Sequence, residues 1–374
     1  MSKYYIIAGE ASGDLHGSNL MKALLARDPQ AQIRFWGGDR MAAVGGNAVM
    51  VKHIRDLAFM GFVEVVAHLG TVLGNIALCK KDILDFQPDA MVFVDYPGFN
   101  LKIAKFTRRH GFRNFYYISP QVWAWKKGRI KAMRRDLDKL CYILPSERDF
   151  FAHADFAQAV YVGHPLLDEV DNYRSRHSAP PSDTKTVALL PGSRKQELRK
   201  MLPPMLQLAQ RHPECRFVVA GMSLLGMPFY EDIMGRPLPN VEVRLDQTYD
   251  ILAQSHAAVV CSGTATLEAA LFRVPQVVCY KANAVTIAIA KAFAHVKYIS
   301  LVNLIADQPI VRELIQQDFN DGTLETEFRK IADDGDARDT MLRGYDRVID
   351  LLGNAGASWR TAAVICGAEN DKTT

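Results

Sequence analysis

The sequence predicts an α/β protein built from two Rossmann-like, doubly wound domains that face a central cleft. Short β-branched or aromatic runs alternate with helical stretches, which is typical of parallel sheets covered on both faces. The alternation stops at 171–185, a polar stretch with little to bury, and restarts at Val187. The chain has 374 residues, more than one hydrophobic core usually covers.

The apolar runs predict strands in both halves of the chain. Those of the first sheet are Tyr4–Ala8, Ile33–Trp36, Ala90–Val94, Phe115–Ile118, Leu140–Leu144 and Val160–Val162. Those of the second are Val187–Leu190, Phe217–Ala220, Val241–Arg244, Ala258–Cys261 and Val277–Tyr280. Between strands, Leu15–Ala26 has apolar residues near helical spacing. The predicted boundaries are 1–170 for the first domain, 171–185 for a linker, 186–345 for the second domain and 346–374 for a C-terminal helix and tail.

The composition excludes several classes of protein. Hydrophobic residues make up 49% and charged residues 23%, and no apolar run reaches the roughly 20 residues of a membrane-spanning helix. The first apolar stretch is followed by glycine and charged residues too early in the chain for it to be the apolar region of a secretory signal. We therefore expect a cytoplasmic protein. The net charge of +4 is too small to argue for nucleic acid. Neither the cysteines nor the histidines show metal-binding spacing, so we expect no metal and no cofactor.

Pro191–Arg194 follows the first strand of the second domain and precedes a helix expected from about Gln196. Gly192 lets the backbone approach a ligand, and Ser193 can cap the helix, whose free N–H groups attract anions. Arg194 adds a forked donor that suits phosphate oxygens. The turn therefore predicts a diphosphate site, and the alternative is an ordinary capped helix start.

Ser262, Gly263 and Thr264 form a second turn of small residues at the start of a helix. Glu268 falls one turn inside that helix, where it can accept hydrogen bonds from ribose hydroxyls. The alternative is a capping-box role near Ala265. Two such turns in one sheet favour a nucleotide diphosphate ligand.

Two loops of the first domain offer acidic side chains. The loop after the first strand is neither a dinucleotide-binding fingerprint nor a P-loop, and its Glu10, Ser12 and Asp14 suit sugar hydroxyls. Asp14 is alternatively a helix N-terminal acid. Asp95 stands just past a buried strand, where partial desolvation can raise its pKa, so it is the best candidate for a general base. A turn aspartate before Pro97-Gly98 is the alternative.

Two further segments suit a lipid surface. The mostly apolar stretch 60–74 is either a core helix or a surface for acyl chains. The stretch from Trp123 to Arg135 joins two tryptophans to a basic run, and either binds a phosphorylated ligand, RNA or lipid, or is a solvated helix face. The residues predicted to contact acyl chains or membrane are Met60, Phe62, Val66, Leu69, Trp123, Trp125, Lys126 and Arg129.

Taken together, these segments closely resemble the lipid-A-disaccharide synthases, glycosyltransferase family 19 of Gram-negative bacteria. The resemblance covers nearly the whole chain in order. The matching segments are Ala8–Asp14, Met60–Val65, Asp95–Asn100, Ser119–Trp125, Gly163–Pro165, Leu189–Arg194, Ser262–Glu268 and Leu301–Leu304. Tyr96 and Gly98 differ from some relatives, which bears on the shape of the acceptor pocket.

The resemblance implies a GT-B fold with an acceptor-binding, membrane-facing first domain and a donor-binding second domain. It implies inverting transfer of a diacylglucosamine unit from UDP to 2,3-diacylglucosamine 1-phosphate, giving a β-1,6 disaccharide and UDP. Asp95, Arg194 and Asn303 match family positions needed for activity, and Glu10 and Ser12 match its first loop. The family also suggests peripheral contact with the inner face of the inner membrane, and a homodimer in which the C-terminal helix packs on the first domain or on a partner subunit.

Two other functions stay open at this stage. A UDP-N-acetylglucosamine 2-epimerase uses the same scaffold and needs no acyl chains. A non-catalytic protein that binds membrane or RNA through Trp123 to Arg135 leaves both nucleotide-type turns unexplained. The residues also leave open whether Asp95 or Glu10 is the base.

Overall fold

The computed structural model describes residues 1–57, 69–120, 129–177, 185–281 and 297–367. The chain divides into two compact units. The first unit comprises Met1–Asp168 and the segment from Asn354 onward, and the second unit comprises Glu169–Gly353.

Strands and helices alternate through both units. The strands are β1 (Lys3–Ala8), β2 (Gln32–Gly37), β3 (Ala48–His53), β4 (Ala90–Val94), β5 (Arg113–Tyr117), β6 (Lys139–Tyr142), β7 (Ala159–Tyr161), β8 (Thr186–Leu190), β9 (Arg216–Gly221), β10 (Val241–Leu245), β11 (Ala257–Cys261), β12 (Gln276–Tyr280) and β13 (Arg312–Ile315).

The helices of the first unit are α1 (Ala11–Arg27), α2 (Asp39–Ala42), α3 (Leu69–Phe86), α4 (Pro97–Arg109), α5 (Arg129–Asp136) and α6 (Glu147–His153), with a 3-10 turn at Ile54–Asp56. Helix α7 (Pro165–Arg176) crosses the boundary between the units. The remaining helices are α8 (Lys195–Arg211), α9 (Met227–Met234), α10 (Thr248–Gln254), α11 (Thr264–Leu271), α12 (Leu301–Ala306), α13 (Asp321–Ala332), α14 (Asp336–Leu352) and α15 (Ala357–Cys366).

Each unit contains one parallel sheet. The strand order is β3-β2-β1-β4-β5-β6-β7 in the first unit and β10-β9-β8-β11-β12-β13 in the second. All the strand pairs in the described residues are parallel, which confirms the predicted α/β fold with two doubly wound domains. In both sheets the order reverses next to the first strand, and ligands of such sheets bind beyond the carboxyl ends of the strands at that point.

The central strands are buried on both faces because helices cover both sides of each sheet. Every residue of β4 and of β8 is buried. In the first unit, alternate residues of β1 face two separate cores: Ile6 packs with residues of α1 and α15, and Ile7 packs with residues of α3 and α4. Such continuous apolar runs are what the sequence showed at these strands.

The sequence did not predict β3 and β13. Both lie at a sheet edge, and their residues are mostly half-buried or exposed. An edge strand packs fewer apolar side chains than a central strand does. The charged residues Arg312 and Glu313 in β13 and Lys52 in β3 therefore interrupt the apolar pattern by which a strand is predicted.

The predicted linker 171–185 begins inside α7 in the structure. Helix α7 continues to Arg176 because side chains near its end have partners in the second unit: the Tyr173 hydroxyl donates to Asp250, and Arg174 donates to the carbonyl of Leu271. The segment 178–184 lies outside the described residues.

The C-terminal helix α15 packs in the first unit, while α14 belongs to the second. The Asp168 carboxylate accepts from the backbone N–H groups of Gly356, Ala357 and Ser358, at the start of α15. Arg360 donates through Nε to the carbonyl of Val162, 2.8 Å away. The Asp168 carboxylate at the N-terminus of α15 and the Arg360 side chain on the Val162 carbonyl therefore hold the C-terminal helix in the first unit.

No helix in the described part of the chain is long and apolar enough to cross a membrane.

Candidate active site

The candidate site of the first unit consists of the loops after β1 and β4, the two strands at which the order of the first sheet reverses. Gly9 and the Tyr96 ring lie against each other, because a Cβ on Gly9 would come within 2.3 Å of the ring. Only glycine therefore allows the aromatic side chain of one loop to lie on the backbone of the other. The contact brings Glu10 and Asp95, one from each predicted loop, to the same end of the sheet.

Asp95 has a strongly constrained backbone and a partly buried side chain. Its φ is 44°, in the left-handed region that non-glycine residues rarely adopt. Its N–H donates to the Tyr117 carbonyl (3.0 Å), and its carbonyl accepts from Asn100 Nδ2 (2.7 Å) and from the Tyr116 hydroxyl (2.6 Å). The backbone thereby directs the Asp95 side chain past the end of β4.

Burial, together with the neighbouring Glu10 carboxylate, raises the pKa of Asp95 to about 6. Both causes disfavour the charged form, and they outweigh the Tyr96 backbone N–H, which lowers the pKa. Burial and Glu10 also raise the pKa of Tyr96. A carboxyl group with a pKa near 6 is a suitable general base at neutral pH.

The other residues of the first loop differ in their surroundings. Glu10 is half-buried at the N-cap of α1, and Ser12 is exposed in its first turn. Asp14 is buried and accepts from the backbone N–H groups of Gly38 (2.6 Å), Met41 (3.0 Å) and Arg40 (3.0 Å). Asp14 therefore caps α2 and has a structural role, whereas the surroundings of Glu10 and Ser12 allow contact with a ligand.

The candidate site of the second unit includes the loop after β8. Gly192 has a φ of 105°, which favours glycine, and a Cβ there would lie 2.9 Å from Glu197 Oε2. The expectation that Ser193 caps the helix is wrong. Arg194 occupies the N-cap with an extended backbone and no side-chain cap, so α8 begins at Lys195.

The absence of a side-chain cap leaves the first N–H groups of α8 directed at any anion bound there. The Arg194 side chain is 59% exposed and forms a 3.5 Å ion pair with Glu197. Ser193 is exposed as well. This end of α8 therefore has the donors and the access that a phosphate group requires.

The loop after β11 lies beside the loop after β8. Cys261, the last residue of β11, has its Sγ 3.5 Å from the position of a Gly192 Cβ. Burial raises the pKa of Cys261 to about 12, and the charges of Glu197 and Arg194 act on it as well. The reversal of strand order at β8 and β11 thus brings the two predicted turns together.

Gly263 is the N-cap of α11 and also has no side-chain cap, while Thr264 is exposed. The Ser262 hydroxyl donates to the carbonyl of Ile299 (2.8 Å), which anchors the turn. The second unit therefore presents two uncapped helix N-termini at neighbouring strand ends.

Glu268 lies in α11 and accepts from the Tyr249 hydroxyl at 3.1 Å. Burial raises its pKa to about 7, with a further increase from Glu169, while the Tyr249 hydrogen bond lowers it. The side chain is thus held by a hydroxyl donor, and the capping-box alternative is not what the structure shows. A carboxyl group that already accepts from one hydroxyl is a suitable partner for another.

Asn303 is fully buried and its amide is occupied within the protein. Nδ2 donates to the carbonyl of Val311 and to Glu313 Oε1, both at 2.9 Å, and Oδ1 accepts from the Val311 N–H at 2.9 Å. Glu313 in turn accepts from the N–H groups of Ile299 and Ser300. Asn303 therefore supports the segment whose Ile299 carbonyl anchors Ser262.

Most of the residues predicted to contact acyl chains or membrane lie outside the described part of the chain: Met60, Phe62, Val66, Trp123, Trp125 and Lys126. Leu69 is the first residue of α3. Arg129 is half-buried at the start of α5, and its charge acts on Tyr116, the residue that donates to the Asp95 carbonyl.

The sequence patterns assign no role to four residues that the structure places at the candidate site: Asn100, Tyr116, Tyr249 and Glu197. Asn100 ends Asp95–Asn100, one of the segments that resemble the family. In the sequence, the sign of a role for Asn100 is that it is a polar residue on the apolar face of a helix. Tyr116 and Tyr249 carry no such signal, because aromatic residues in strands and helices are usually core residues.

Comparison with known proteins identifies the family of the chain. The model of the family described as lipid-A-disaccharide synthetase matches residues 4–355. A lipid-A-disaccharide synthase of Geobacter sulfurreducens is 35% identical over 369 residues, covering 96% of this chain and 95% of that protein. The chain belongs to the lipid-A-disaccharide synthase family. It is therefore a glycosyltransferase of lipid A disaccharide synthesis.

Solved structures share the fold at low identity. The calicheamicin glycosyltransferase CalG4 has a TM-score of 0.63 and 16% identity, with 98% of each chain covered. A UDP-GlcNAc 2-epimerase from Neisseria meningitidis has a TM-score of 0.60 and 11% identity, covering 98% of this chain and 99% of that one. Since glycosyltransferases and epimerases both have this architecture, the fold does not separate them. Family membership does, and it disfavours both the epimerase and the non-catalytic alternatives.

Proposed function

We propose that the protein transfers a 2,3-diacylglucosamine unit from UDP to 2,3-diacylglucosamine 1-phosphate with inversion, and that Asp95 is the general base. The products are a β-1,6-linked disaccharide 1-phosphate and UDP. The observation that carries the proposal is the partly buried Asp95 carboxyl group at the carboxyl end of β4, with a pKa raised to about 6. Family membership supports the donor and acceptor classes.

The reaction is one in-line displacement, because an α-linked UDP sugar gives a β linkage. The acceptor 6-oxygen forms a bond to the anomeric carbon while the bond from that carbon to the diphosphate oxygen breaks. Asp95 takes the proton of the 6-hydroxyl, and UDP leaves with the electron pair of the broken bond. The raised pKa makes Asp95 a stronger base than an exposed carboxylate, while it remains mostly ionised at pH 7.

Glu10 has a different role in this proposal. Its negative charge raises the pKa of Asp95, so it tunes the base and also offers a carboxylate to the sugar hydroxyls. Ser12, exposed in the first turn of α1, adds a hydroxyl that binds the same sugar. The Asp95 backbone is held by three hydrogen bonds, which favours Asp95 as the group placed for the proton transfer.

The second unit stabilises the leaving UDP. Arg194, the N–H groups at Gly192-Ser193 and the uncapped start of α8 bind phosphate oxygens as negative charge develops on them. The turn at Ser262, Gly263 and Thr264 adds the start of α11. Glu268 accepts from the ribose hydroxyls, and Asn303 acts indirectly by holding the segment that anchors Ser262.

One helical face of the first unit suits an anionic lipid surface. Helices α3, α4 and α5 pack on the same face of the first sheet. Leu73 and Leu78 of α3 are exposed apolar residues, and α4 has four cationic and no acidic residues. We infer that this face contacts the membrane in which the acylated substrates lie. Of the predicted acyl-binding residues, Leu69 and Arg129 belong to these helices, as the first residues of α3 and α5. The homodimer stays a prediction from the family resemblance.

Asp95→Asn should lower kcat by at least about a hundredfold, because a carboxamide accepts no proton under these conditions. UDP should bind as before, since its proposed site is in the second unit. In the wild type, kcat should rise with pH through about 6 and then level off, because the base acts in its ionised form.

The matched control is Asp350→Asn, which changes an exposed carboxylate on α14 and should leave kcat unchanged. Glu10→Gln should keep substantial turnover and move the acidic limb to lower pH. Near-normal turnover of Asp95→Asn combined with an inactive Glu10→Gln would reverse the assignment of the base.

Arg194→Ala should weaken UDP binding by about ten- to a hundredfold, as expected for the loss of a charge-assisted hydrogen bond to phosphate. Arg199→Ala is the control, because it removes an exposed arginine from the same helix at the second turn. Isothermal titration with UDP measures both. Equal affinities of the two variants would show that Arg194 does not bind the diphosphate.

Lys102→Glu should weaken binding to vesicles that contain anionic phospholipid by roughly fivefold or more, given about 1 kcal/mol per basic residue at such a surface. Lys22→Glu is the matched control: it reverses an exposed lysine of α1, whose core lies on the other face of the same sheet. Co-sedimentation at low and high salt checks this, and equal binding of both variants would contradict the assigned face.

A further inference from the structure

Asn100 is a buried amide among the apolar residues that fix α4 to the first sheet. Its relative exposure is 0%, and its neighbours on the buried side of α4 include Phe99 and Ile103. An amide is costly to bury unless it is hydrogen-bonded, so its contacts explain its presence. They lie at the ends of β1 and β4, where the strand order of the sheet reverses.

The amide nitrogen of Asn100 is surrounded by three backbone carbonyl oxygens. Nδ2 is 2.7 Å from the oxygen of Asp95, 3.3 Å from that of Ile7 and 3.4 Å from that of Val94. Carbonyl oxygens only accept, so they require the nitrogen side of the amide to face them. Ile7 belongs to β1 and Val94 to β4, and Asn100 therefore joins the two strand ends that carry Glu10 and Asp95.

The turn that Asn100 holds is conformationally unfavourable. Asp95 and Tyr96 are consecutive non-glycine residues with φ values of 44° and 51°. Such a backbone persists only when its surroundings hold it in place, and strained turns of this kind are concentrated at functional sites. The Tyr116 hydroxyl supplies the second donor to the same Asp95 carbonyl, at 2.6 Å.

The other side of the Asn100 amide is not optimised for stability. Its Oδ1 is buried and has no hydrogen-bond donor among the described residues. A buried acceptor without a partner lowers the stability of the fold. Asn100 therefore donates to the carbonyls of the turn through Nδ2, while its unpaired Oδ1 is destabilising. Residues that break a stability rule in this way are expected at functional sites.

We propose that Asn100 is a positioning residue for glycosyl transfer, which ties the carbonyl of Asp95 to the end of β1 and thereby sets the Asp95 carboxyl group relative to Glu10. The inference rests on the proposed function, in which Asp95 is the base. Asn100 itself touches neither substrate nor reacting atoms. It acts through the backbone of Asp95, together with Tyr116.

The electrostatic surroundings of Asp95 give this role a measurable signature. Within the described part of the chain, the titratable and charged groups that act at this strand end are Glu10, Tyr96, Tyr116 and Arg129. When the tie is lost, Asp95 moves away from Glu10 and towards water, and both changes lower its pKa. The acidic limb of the kcat profile then moves to lower pH, while kcat itself falls because the base is misplaced.

The test compares Asn100→Ala with Asn114→Ala. Asn114 is an equally buried amide of the same unit, but its Nδ2 donates to the carbonyls of Ala104 (2.9 Å) and Asp136 (2.7 Å) on α4 and α5. Per folded molecule, Asn100→Ala should lose about a hundredfold in kcat, as expected for a displacement of about 1 Å, with unchanged UDP affinity. Asn114→Ala should lower only the melting temperature.

Tyr116→Phe provides the second variant. It keeps the ring in the core and removes only the other donor to the Asp95 carbonyl, so it should lower kcat by about tenfold and shift the acidic limb in the same direction. If Asn100→Ala does not fold, this variant decides the question. Wild-type kcat in Tyr116→Phe would then overturn the proposal.

Measuring Asp95→Asn beside these variants distinguishes a failure of the positioning role of Asn100 from a failure of the proposed base. An inactive Asp95→Asn with a normal kcat and pH profile for Asn100→Ala would overturn the positioning role alone. A fully active Asp95→Asn would overturn the proposed base, and the role of Asn100 with it. Equal kcat values for Asn100→Ala and Asn114→Ala would also reject the inference.

Discussion

The reversal of strand order next to the first strand of each sheet is the constraint on which the site depends. Strands on the two sides of that point are followed by helices on opposite faces, so the carboxyl ends of β1 and β4, and of β8 and β11, remain open between them. The proposed base, its neighbouring carboxylate and the two anion-binding turns lie at these openings. Glu10 and Asp95 follow β1 and β4, while Gly192 and Ser262 follow β8 and β11. The same topology thus provides the position of the proposed base in one unit and of the proposed anion site in the other.

The chemistry of the two openings differs because their local charges differ. In the first unit, burial and a second carboxylate oppose ionisation of Asp95 and increase its basicity. In the second unit, two helices begin without side-chain caps, and Arg194 adds a positive charge. One arrangement suits proton removal from a hydroxyl, and the other suits a leaving group that gains negative charge.

The sequence predicted the fold and the site loops because the central strands are continuous apolar runs and the loops follow them directly. The edge strands β3 and β13 were missed, since their charged and half-buried residues lack that pattern. The cap was assigned to Ser193 on residue type, but the backbone starts α8 one residue later than a serine cap requires. Asn303 matches a family position needed for activity, and only its hydrogen bonds show that its amide is occupied within the protein.

In the proposed reaction, this chain joins two acylated glucosamine units by transfer from UDP. The most direct test incubates the purified protein with UDP-2,3-diacylglucosamine and 2,3-diacylglucosamine 1-phosphate, and analyses the products by mass spectrometry and by the anomeric coupling in NMR. The expected result is the release of one UDP for each β-1,6-linked disaccharide 1-phosphate formed. An α linkage, UDP release without disaccharide, or an epimerised UDP sugar as the only product would contradict it.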